Sequence, residues 1–377
     1  MDTNIRRILA NRLETIFSLN KVVVILGPRQ VGKTTLLHQL TAGADNVLSF
    51  DCDNYDDRLL LENRTKTELA TLIGKSPVVI IDEAQRVRNI GLTLKMIGDL
   101  HLDARILVTG SSSLQLSDDI NEPATGRLLE FTLFPFSLQE IAEHTSWRDE
   151  KRLLQQRMIY GAYPEVVMNS EHAQLLLLNI VNSYLYKDIL EYKGIKKPDV
   201  LRKLVVALAL QLGSEVSYNE LSNMLGVDKE TVENYIDLLE KCFVIFRMDS
   251  FSRNLRNEIR KGKKIYFYDN GVRNAIINNF ASLEMRNDVG ALWENLMMIE
   301  RKKRNAYSAN YATQYFWRTQ RQQEIDMLEE KDGVITAYEF KWKAGKQVSL
   351  PQVFREAYPN TTLTTITPDN YQQFVCI

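Results

Sequence analysis

The clearest pattern lies at residues 22–35, which read Val-Val-Val-Ile-Leu-Gly-Pro-Arg-Gln-Val-Gly-Lys-Thr-Thr. The apolar run predicts a buried strand, and the glycines after it predict a tight turn that leads into a helix. This order of parts is that of a phosphate loop, in which backbone N–H groups and a helix N-terminus converge on phosphate oxygens. The residues predicted to bind the phosphates of ATP are Gly27, Pro28, Arg29, Gln30, Val31, Gly32, Lys33, Thr34 and Thr35.

Two residues would carry the chemistry of this loop. Lys33 would place its charge on the β- and γ-phosphates, and the hydroxyl of Thr34 would bind Mg²⁺. The alternative is a chance Gly-Lys turn. The strand pattern before the loop and the helical pattern at 35–40 argue against that alternative.

The composition is that of an ordinary globular protein. The chain has 377 residues, of which 45% are hydrophobic and 25% charged, and its net charge is −1. This length suits two or three domains, and the near-neutral charge confines any basic surface to short stretches. Cys52, Cys242 and Cys376 are too widely spaced for a disulfide framework or a zinc site. With no signal-peptide pattern and no long apolar run, we expect a cytoplasmic protein without a membrane partner.

The first 150 residues alternate apolar runs with helical patterns, which predicts an α/β fold with a parallel sheet. The strands are expected at 22–26, 46–50, 78–82, 105–109 and 128–133. The third strand ends in Asp82 and Glu83, a Walker B pattern. Asp82 would orient water on Mg²⁺, and Glu83 would act as the catalytic base that polarises the attacking water. A solvated acidic turn is the alternative.

The fourth strand also ends in polar residues. Thr109 or Ser111 would contact the γ-phosphate or the attacking water, as sensor 1 does in ATPases with an extra strand between the Walker A and Walker B strands. An ordinary Gly-Ser loop is the alternative. Further on, Arg127 would stabilise transition-state charge, in cis or from a neighbouring subunit. The second arrangement requires an oligomer, which the sequence leaves open.

Five short segments together carry a family resemblance. They are Gly-Pro-Arg-Gln-Val-Gly-Lys-Thr-Thr, Ile-Asp-Glu-Ala-Gln, Thr-Gly-Ser-Ser-Ser, Gly-Arg and Leu-Phe-Pro-Phe-Ser, at 27–35, 81–85, 109–113, 126–127 and 133–137. Over its whole length the sequence resembles AAA-type ATPases of bacteria and archaea that carry a C-terminal domain of unknown function. The resemblance implies a P-loop ATPase core at 1–150 and a helical lid or linker at 151–195.

Residues 196–280 predict a winged helix-turn-helix. Three helical patterns, the second capped by Ser217 and the third by Asp228, are followed by two strand patterns at 243–248 and 264–268. The loop between these strands would be a wing that contacts DNA backbone within 251–264. Its basic residues are Arg253, Arg256, Arg260, Lys261 and Lys263. Winged helices also mediate protein contacts, and the acidic third helix suits a major groove poorly.

Residues 281–377 contain a hairpin pattern with Asp326 on one strand and Glu339 on the next, followed by Lys341. Alternation along a strand sends Glu339 and Lys341 to the same face. The spacing resembles the PD-(D/E)XK nuclease site of α/β restriction-endonuclease-like domains. That resemblance implies that Asp326 and Glu339 hold Mg²⁺, that Lys341 activates water, and that Glu294 adds a carboxylate from a preceding helix. The alternative is a solvated hairpin with alternating charges.

Three functions are consistent with these patterns. The leading hypothesis is an ATPase that uses ATP and Mg²⁺ and drives or gates a DNA-facing C-terminal half. An alternative is a nucleotide-dependent switch whose C-terminal half binds a protein partner and has no nuclease activity. A third is a Mg²⁺-dependent deoxyribonuclease that ATP regulates.

Overall fold

The computed structural model describes residues 5–111, 126–183, 189, 195, 197–252, 262–319, 321–343, 345 and 348–377. The chain divides into two compact units. The first is Met1–Phe136 with Lys241–Phe243, and the second is Ser137–Glu240 with Val244–Ile377. The first unit therefore ends its main segment at Phe136, before the limit of 150 that the sequence suggests. Within the described residues, no helix has the length and apolar character needed to cross a bilayer.

The first unit is built on a parallel sheet. Its strands are β1 (Val22–Leu26), β2 (Val47–Asp51), β3 (Val78–Asp82), β4 (Arg105–Gly110) and β5 (Leu128–Thr132). They lie in the order β2-β3-β4-β1-β5, and every neighbouring pair is parallel. The predicted α/β fold and its parallel sheet are confirmed. The extra strand expected between the Walker strands is β4, which lies between β1 and β3.

Burial explains why the first strand forms where it does. All five residues of β1 are buried, as expected for the β-branched residues of an inner strand covered on both faces. The helices of this unit are α1 (Ile8–Ile16), α2 (Lys33–Thr41), α3 (Tyr55–Leu61), α4 (Lys66–Ile73) and α5 (Ile90–Gly98). Because the strands are parallel, the carboxyl ends of β1, β3 and β4 meet at one edge of the sheet.

The second unit combines many helices with a second sheet. Its helices in the described residues are α6 (Leu138–His144), α7 (Trp147–Tyr160), α8 (Pro164–Met168), α9 (Ala173–Ile180), α10 (Pro198–Leu210), α11 (Tyr218–Leu225), α12 (Lys229–Lys241), α13 (Asn270–Ile276), α14 (Val289–Tyr307), α15 (Gln352–Ala357) and α16 (Tyr371–Val375). Its strands are β6 (Glu215–Val216), β7 (Ile245–Ser250), β8 (Lys263–Phe267), β9 (Thr313–Arg318), β10 (Glu324–Lys331), β11 (Val334–Phe340) and β12 (Thr362–Ile366).

These strands form one continuous sheet in the order β12-β11-β10-β9-β7-β8-β6. The link between its two halves is a short parallel pairing of β7 with β9, in which Asp249 faces Tyr315 and Ser250 faces Phe316. The boundary expected at residue 280 therefore divides two segments whose strands share a single sheet.

Candidate functional sites

Glycine gives the phosphate loop its shape. Gly27 has φ 155°, and a Cβ atom built there would lie 2.1 Å from the carbonyl oxygen of Leu133. Gly32 has φ 90° and caps the N-terminus of α2. Both positions therefore exclude larger side chains, because a Cβ atom at Gly27 would clash with the backbone just after β5 and both residues have a positive φ.

Lys33 lies inside this loop and is only 5% exposed. Its Nζ donates to the carbonyl oxygens of Gly27 at 3.1 Å and Pro28 at 2.9 Å. Burial lowers the pKa of Lys33 to about 8, although the nearby Glu83 and Asp82 oppose the shift. Carbonyl oxygens are weaker partners than anions, so this ammonium group is suited to receive a phosphate.

Asp82 stands at the centre of a small polar network at the sheet edge. Its carboxylate accepts hydrogen bonds from the hydroxyl of Thr34 at 2.7 Å, from the hydroxyl of Thr109, and from the backbone N–H of Glu83 at 3.1 Å. The N–H of Glu83 also lies 3.1 Å from Oγ1 of Thr109. The structure thus brings together three of the residues that the sequence singled out on separate elements.

The structure distinguishes the two residues proposed for sensor 1. Thr109 is fully buried, and its hydroxyl donates a hydrogen bond to Asp82. Ser111 instead accepts a hydrogen bond of 2.9 Å from Gln85, so its own hydroxyl hydrogen is not used there. Gln85 also donates to the carboxylate of Glu83. Sequence reasoning gave Gln85 no role, although it belongs to the quoted segment at 81–85.

Arg7 is a second residue that sequence reasoning missed. It is 2% exposed, and its guanidinium donates to the carbonyl oxygens of Val31 and Phe134, each at 2.6 Å. It also lies 4.9 Å from the centre of the Phe136 ring. Arg7 therefore ties the phosphate loop to the segment 133–137, for which the sequence alone offered no chemistry. A local sequence pattern could not predict this contact, because Arg7 and Phe134 are 127 residues apart in the chain.

The structure places Arg127 away from the phosphate loop of its own chain. Arg127 precedes β5, whose Leu128 pairs with Val22 at the start of β1, whereas the phosphate loop follows the end of β1. Five residues of strand, about 16 Å, separate the two edges of the sheet. The guanidinium pairs instead with Asp99.

The second unit brings together the residues of the predicted nuclease-like hairpin. Lys341 Nζ lies 2.9 Å from a carboxylate oxygen of Glu339 and 3.8 Å from one of Asp326. The same oxygen of Asp326 accepts a hydrogen bond of 2.8 Å from the N–H of Phe340. Burial and the neighbouring Asp326 raise the pKa of Glu339 to about 7. We call Glu294, Asp326, Glu339 and Lys341 the carboxylate cluster.

The structure places Glu294 beside a buried lysine and a tyrosine. Its carboxylate accepts from Lys264 Nζ at 3.1 Å and from the hydroxyl of Tyr266 at 2.6 Å. Lys264 is 2% exposed and contacts Glu324 at 2.5 Å as well. Across the described ranges, no three His, Cys, Asp or Glu side chains are placed to hold one metal ion. A metal-binding role for Glu294 therefore stays a prediction, and it would require this carboxylate to exchange its contact with Lys264 for a metal ion.

The expected wing is only partly described. Arg253, Arg256, Arg260 and Lys261 lie outside the described residues. Lys263, at the start of β8, forms an ion pair of 2.8 Å with Asp249 on β7.

Three family models match parts of the chain. Residues 19–142 match the family model described as "AAA domain". Residues 151–283 match "Domain of unknown function (DUF8612)", and residues 289–374 match "Domain of unknown function (DUF4143)". The parallel sheet, the phosphate loop and the similarity of residues 19–142 to the AAA domain together support a P-loop ATPase domain in the first unit.

Relatives and solved structures align with most of the chain. An uncharacterized protein of Mycobacterium tuberculosis is 27% identical over 350 residues, which cover 91% of this chain and 75% of that protein. An uncharacterized protein of Methanocaldococcus jannaschii is 25% identical over 349 residues, covering 85% and 75%. A Walker-type ATPase of Pyrococcus abyssi is similar with a TM-score of 0.49 and 17% identity, covering 73% of this chain and 96% of its own.

Proposed function

We propose that the protein binds Mg-ATP at residues 27–35 and hydrolyses it. The observation that carries this proposal is the meeting of Lys33, Thr34 and the Asp82–Glu83 pair at one edge of a parallel sheet whose residues match an AAA domain. That edge is where open α/β sheets bind their ligands.

The residues present fit a magnesium ion. The Thr34 hydroxyl and the Asp82 carboxylate lie 2.7 Å apart, and such oxygen donors are those that Mg²⁺ prefers. When bound, Mg²⁺ neutralises charge on the β- and γ-phosphates. Lys33 would exchange its carbonyl partners for phosphate oxygens, Ser111 would donate to the γ-phosphate, and Glu83 would accept a proton from the attacking water.

We further propose that hydrolysis controls a DNA-facing second unit. Helices α10 to α12, followed by the antiparallel strands β7 and β8 with β6 beside β8, have the order of a winged helix. The wing within 251–264 would contact DNA backbone through its basic residues. An ATPase that moves such a module would show ATP turnover that depends on DNA.

A second candidate activity is DNA cleavage at the carboxylate cluster. The contact of 2.9 Å between Lys341 and Glu339, beside Asp326, favours it. Asp326 and Glu339 would hold Mg²⁺, which in proteins often binds only one or two carboxylates and keeps several waters. Lys341 would orient the water that attacks phosphorus.

A nucleotide-dependent switch that holds a protein partner is the competing function. Helix α12 favours it, because Glu230, Glu233 and Asp237 give the helix that would enter the major groove a negative charge.

One experiment separates these functions. ATP turnover is measured for the wild type and for Lys33→Ala, without DNA and with single-stranded, duplex and branched DNA, and the oligomeric state is recorded in the same samples. Turnover by the wild type that DNA increases supports the DNA-facing ATPase. Turnover that no DNA changes supports the switch, and turnover equal to that of Lys33→Ala rejects the ATPase.

Cleavage is tested in a separate assay. Plasmid and branched DNA are incubated with Mg²⁺ and either the wild type or Lys341→Ala. Cutting by the wild type alone supports the nuclease, and no cutting by either protein rejects it.

A further inference from the structure

Gln85 connects the ends of two strands in the first unit. It lies in the short helical turn Ala84–Arg86 directly after Glu83. Its Nε2 donates to a carboxylate oxygen of Glu83 and, at 2.9 Å, to Oγ of Ser111. The amide therefore joins the end of β3 to the end of β4.

The neighbouring groups fix the orientation of this amide. An ionised carboxylate accepts hydrogen bonds and cannot donate them, so Nε2 must face Glu83. The opposite orientation would place two acceptor oxygens against each other. Oε1 of Gln85 therefore points away from the Glu83 carboxylate.

Oε1 is buried and has no hydrogen-bond partner in the part of the chain that the structure describes. Leaving such an acceptor without a donor costs about 1–3 kcal/mol, and native proteins keep few of them. Both hydrogen bonds described for Gln85 are donated by Nε2, so the contacts through which this side chain can act are those with Glu83 and Ser111.

We propose that Gln85 is a positioning residue for the ATP hydrolysis proposed above, on which this inference rests. Its Nε2 donates to the carboxylate of Glu83 and to Oγ of Ser111, and so holds both groups in place at the ends of β3 and β4. Held in this way, Glu83 accepts a hydrogen of the attacking water, and the water presents a lone pair to the γ-phosphorus. Ser111 keeps its own hydroxyl hydrogen for the γ-phosphate.

The step conserves atoms and charge. The water oxygen forms a bond to the γ-phosphorus while the bond from that phosphorus to the β–γ bridging oxygen breaks. The bridging oxygen leaves with the electron pair as part of ADP. One water proton passes to Glu83 and then to solvent, so the products are ADP, phosphate and a proton.

The test replaces Gln85 with leucine, which is close in size and has no amide. We expect the kcat for ATP to fall about 100-fold, the usual effect of removing one oriented polar group from a reaction site. The KM for ATP should change less than about threefold, because Gln85 acts through Glu83 on the reacting water rather than on the bound nucleotide. Affinity for ADP with aluminium fluoride, which mimics the phosphoryl group in transfer, should fall by a similar factor, while ADP affinity stays unchanged.

Arg86→Ala is the matched control. Arg86 belongs to the same turn but is exposed and pairs with Asp53 at 3.3 Å. Its replacement should leave kcat and both affinities unchanged.

The results separate a failure of the role inferred for Gln85 from a failure of the proposed ATPase function. If Gln85→Leu keeps its kcat within about threefold of the wild type, the inference is overturned and the ATPase stands. If wild-type turnover equals that of Lys33→Ala, the proposed function fails and the inference falls with it. Gln85→Met is the second variant, in case the leucine variant folds poorly. Loss of ADP binding together with turnover in both variants overturns the positioning role in favour of a purely structural one.

Discussion

Lys33 in the phosphate loop and Lys341 in the carboxylate cluster differ in the partners that hold them. Lys33 donates to two backbone carbonyls, and burial lowers its pKa to about 8. Lys341 contacts Asp326 and Glu339. Burial lowers its pKa as well, but these carboxylates outweigh burial, so the pKa lies above its ordinary value. The positive charge of Lys33 is therefore available to bind an anion, whereas the charge of Lys341 is already balanced by neighbouring carboxylates.

Lys264 extends the comparison within the second unit. It is almost fully buried and contacts both Glu294 and Glu324. Burial lowers its pKa, and the carboxylates raise it by more. Lys264 and Lys341 thus both contact carboxylates, whereas the hydrogen bonds described for Lys33 go to backbone carbonyl oxygens.

The largest expected effect concerns the first lysine. Lys33→Ala should reduce ATP turnover by about 1,000-fold or more, because no other described ammonium group donates to the loop carbonyls. Its free energy of unfolding should not fall, since a buried lysine with a lowered pKa opposes folding while it is charged. Steady-state ATPase kinetics and urea denaturation measure the two quantities. Normal turnover by this variant would contradict the assignment of the phosphate site.

The next effect concerns Lys264. Lys264→Met should lower the free energy of unfolding by about 3–5 kcal/mol, because Glu294 keeps a buried charge without its partner. Urea denaturation measures this change. Lys263→Met is the control on the same strand, and its half-exposed pair with Asp249 should contribute less than about 1 kcal/mol. Equal losses of unfolding free energy in the two variants would contradict the larger contribution expected of the buried Lys264.

A smaller effect concerns the pH dependence of stability. The pKa of Glu339 is about 7 in the folded chain against an ordinary 4.5. Between pH 4.5 and pH 7, Glu339 therefore keeps a proton in the folded state that it has lost in the unfolded state. Its contribution to the free energy of unfolding falls as the pH rises through that window. Glu339→Gln should remove this loss and make the variant more stable relative to the wild type at pH 8 than at pH 4.5, by about 1–2 kcal/mol.

Thermal or urea unfolding at pH 4.5, 6 and 8 measures this difference. A difference between the two proteins that stays constant with pH would contradict the raised pKa.

The smallest effect is expected at Arg127. Arg127→Ala should leave ATP turnover of the single chain within about twofold of the wild type, because the residue lies at the sheet edge opposite the phosphate loop. Kinetics at several protein concentrations check this. A loss of turnover that appears only where the chain self-associates would instead indicate a role in trans.

Much of the first unit could be predicted because its signals are local. The strand β1, the loop glycines and Lys33 stand next to one another in the chain, and each is recognised by residue type and spacing. The end of β3 could be predicted for the same reason, since four apolar residues precede Asp82.

Prediction was less successful where a side chain had a choice of distant partners. Glu294 was expected to bind metal, but its partner Lys264 lies 30 residues away on a strand assigned to another module. The position of Arg127 could not be predicted, because strand direction, rather than proximity in sequence, decides which edge of the sheet a residue occupies.

The sequence by itself determined the phosphate loop, its strand and its helix, because short apolar runs and glycines act over a few residues. Only the tertiary structure decided that Thr109 supports Asp82, that Gln85 links Glu83 to Ser111, and that the strands after residue 215 form one sheet. Those arrangements depend on which buried polar groups find partners across the fold, and a partner that is far away in the chain leaves no local pattern.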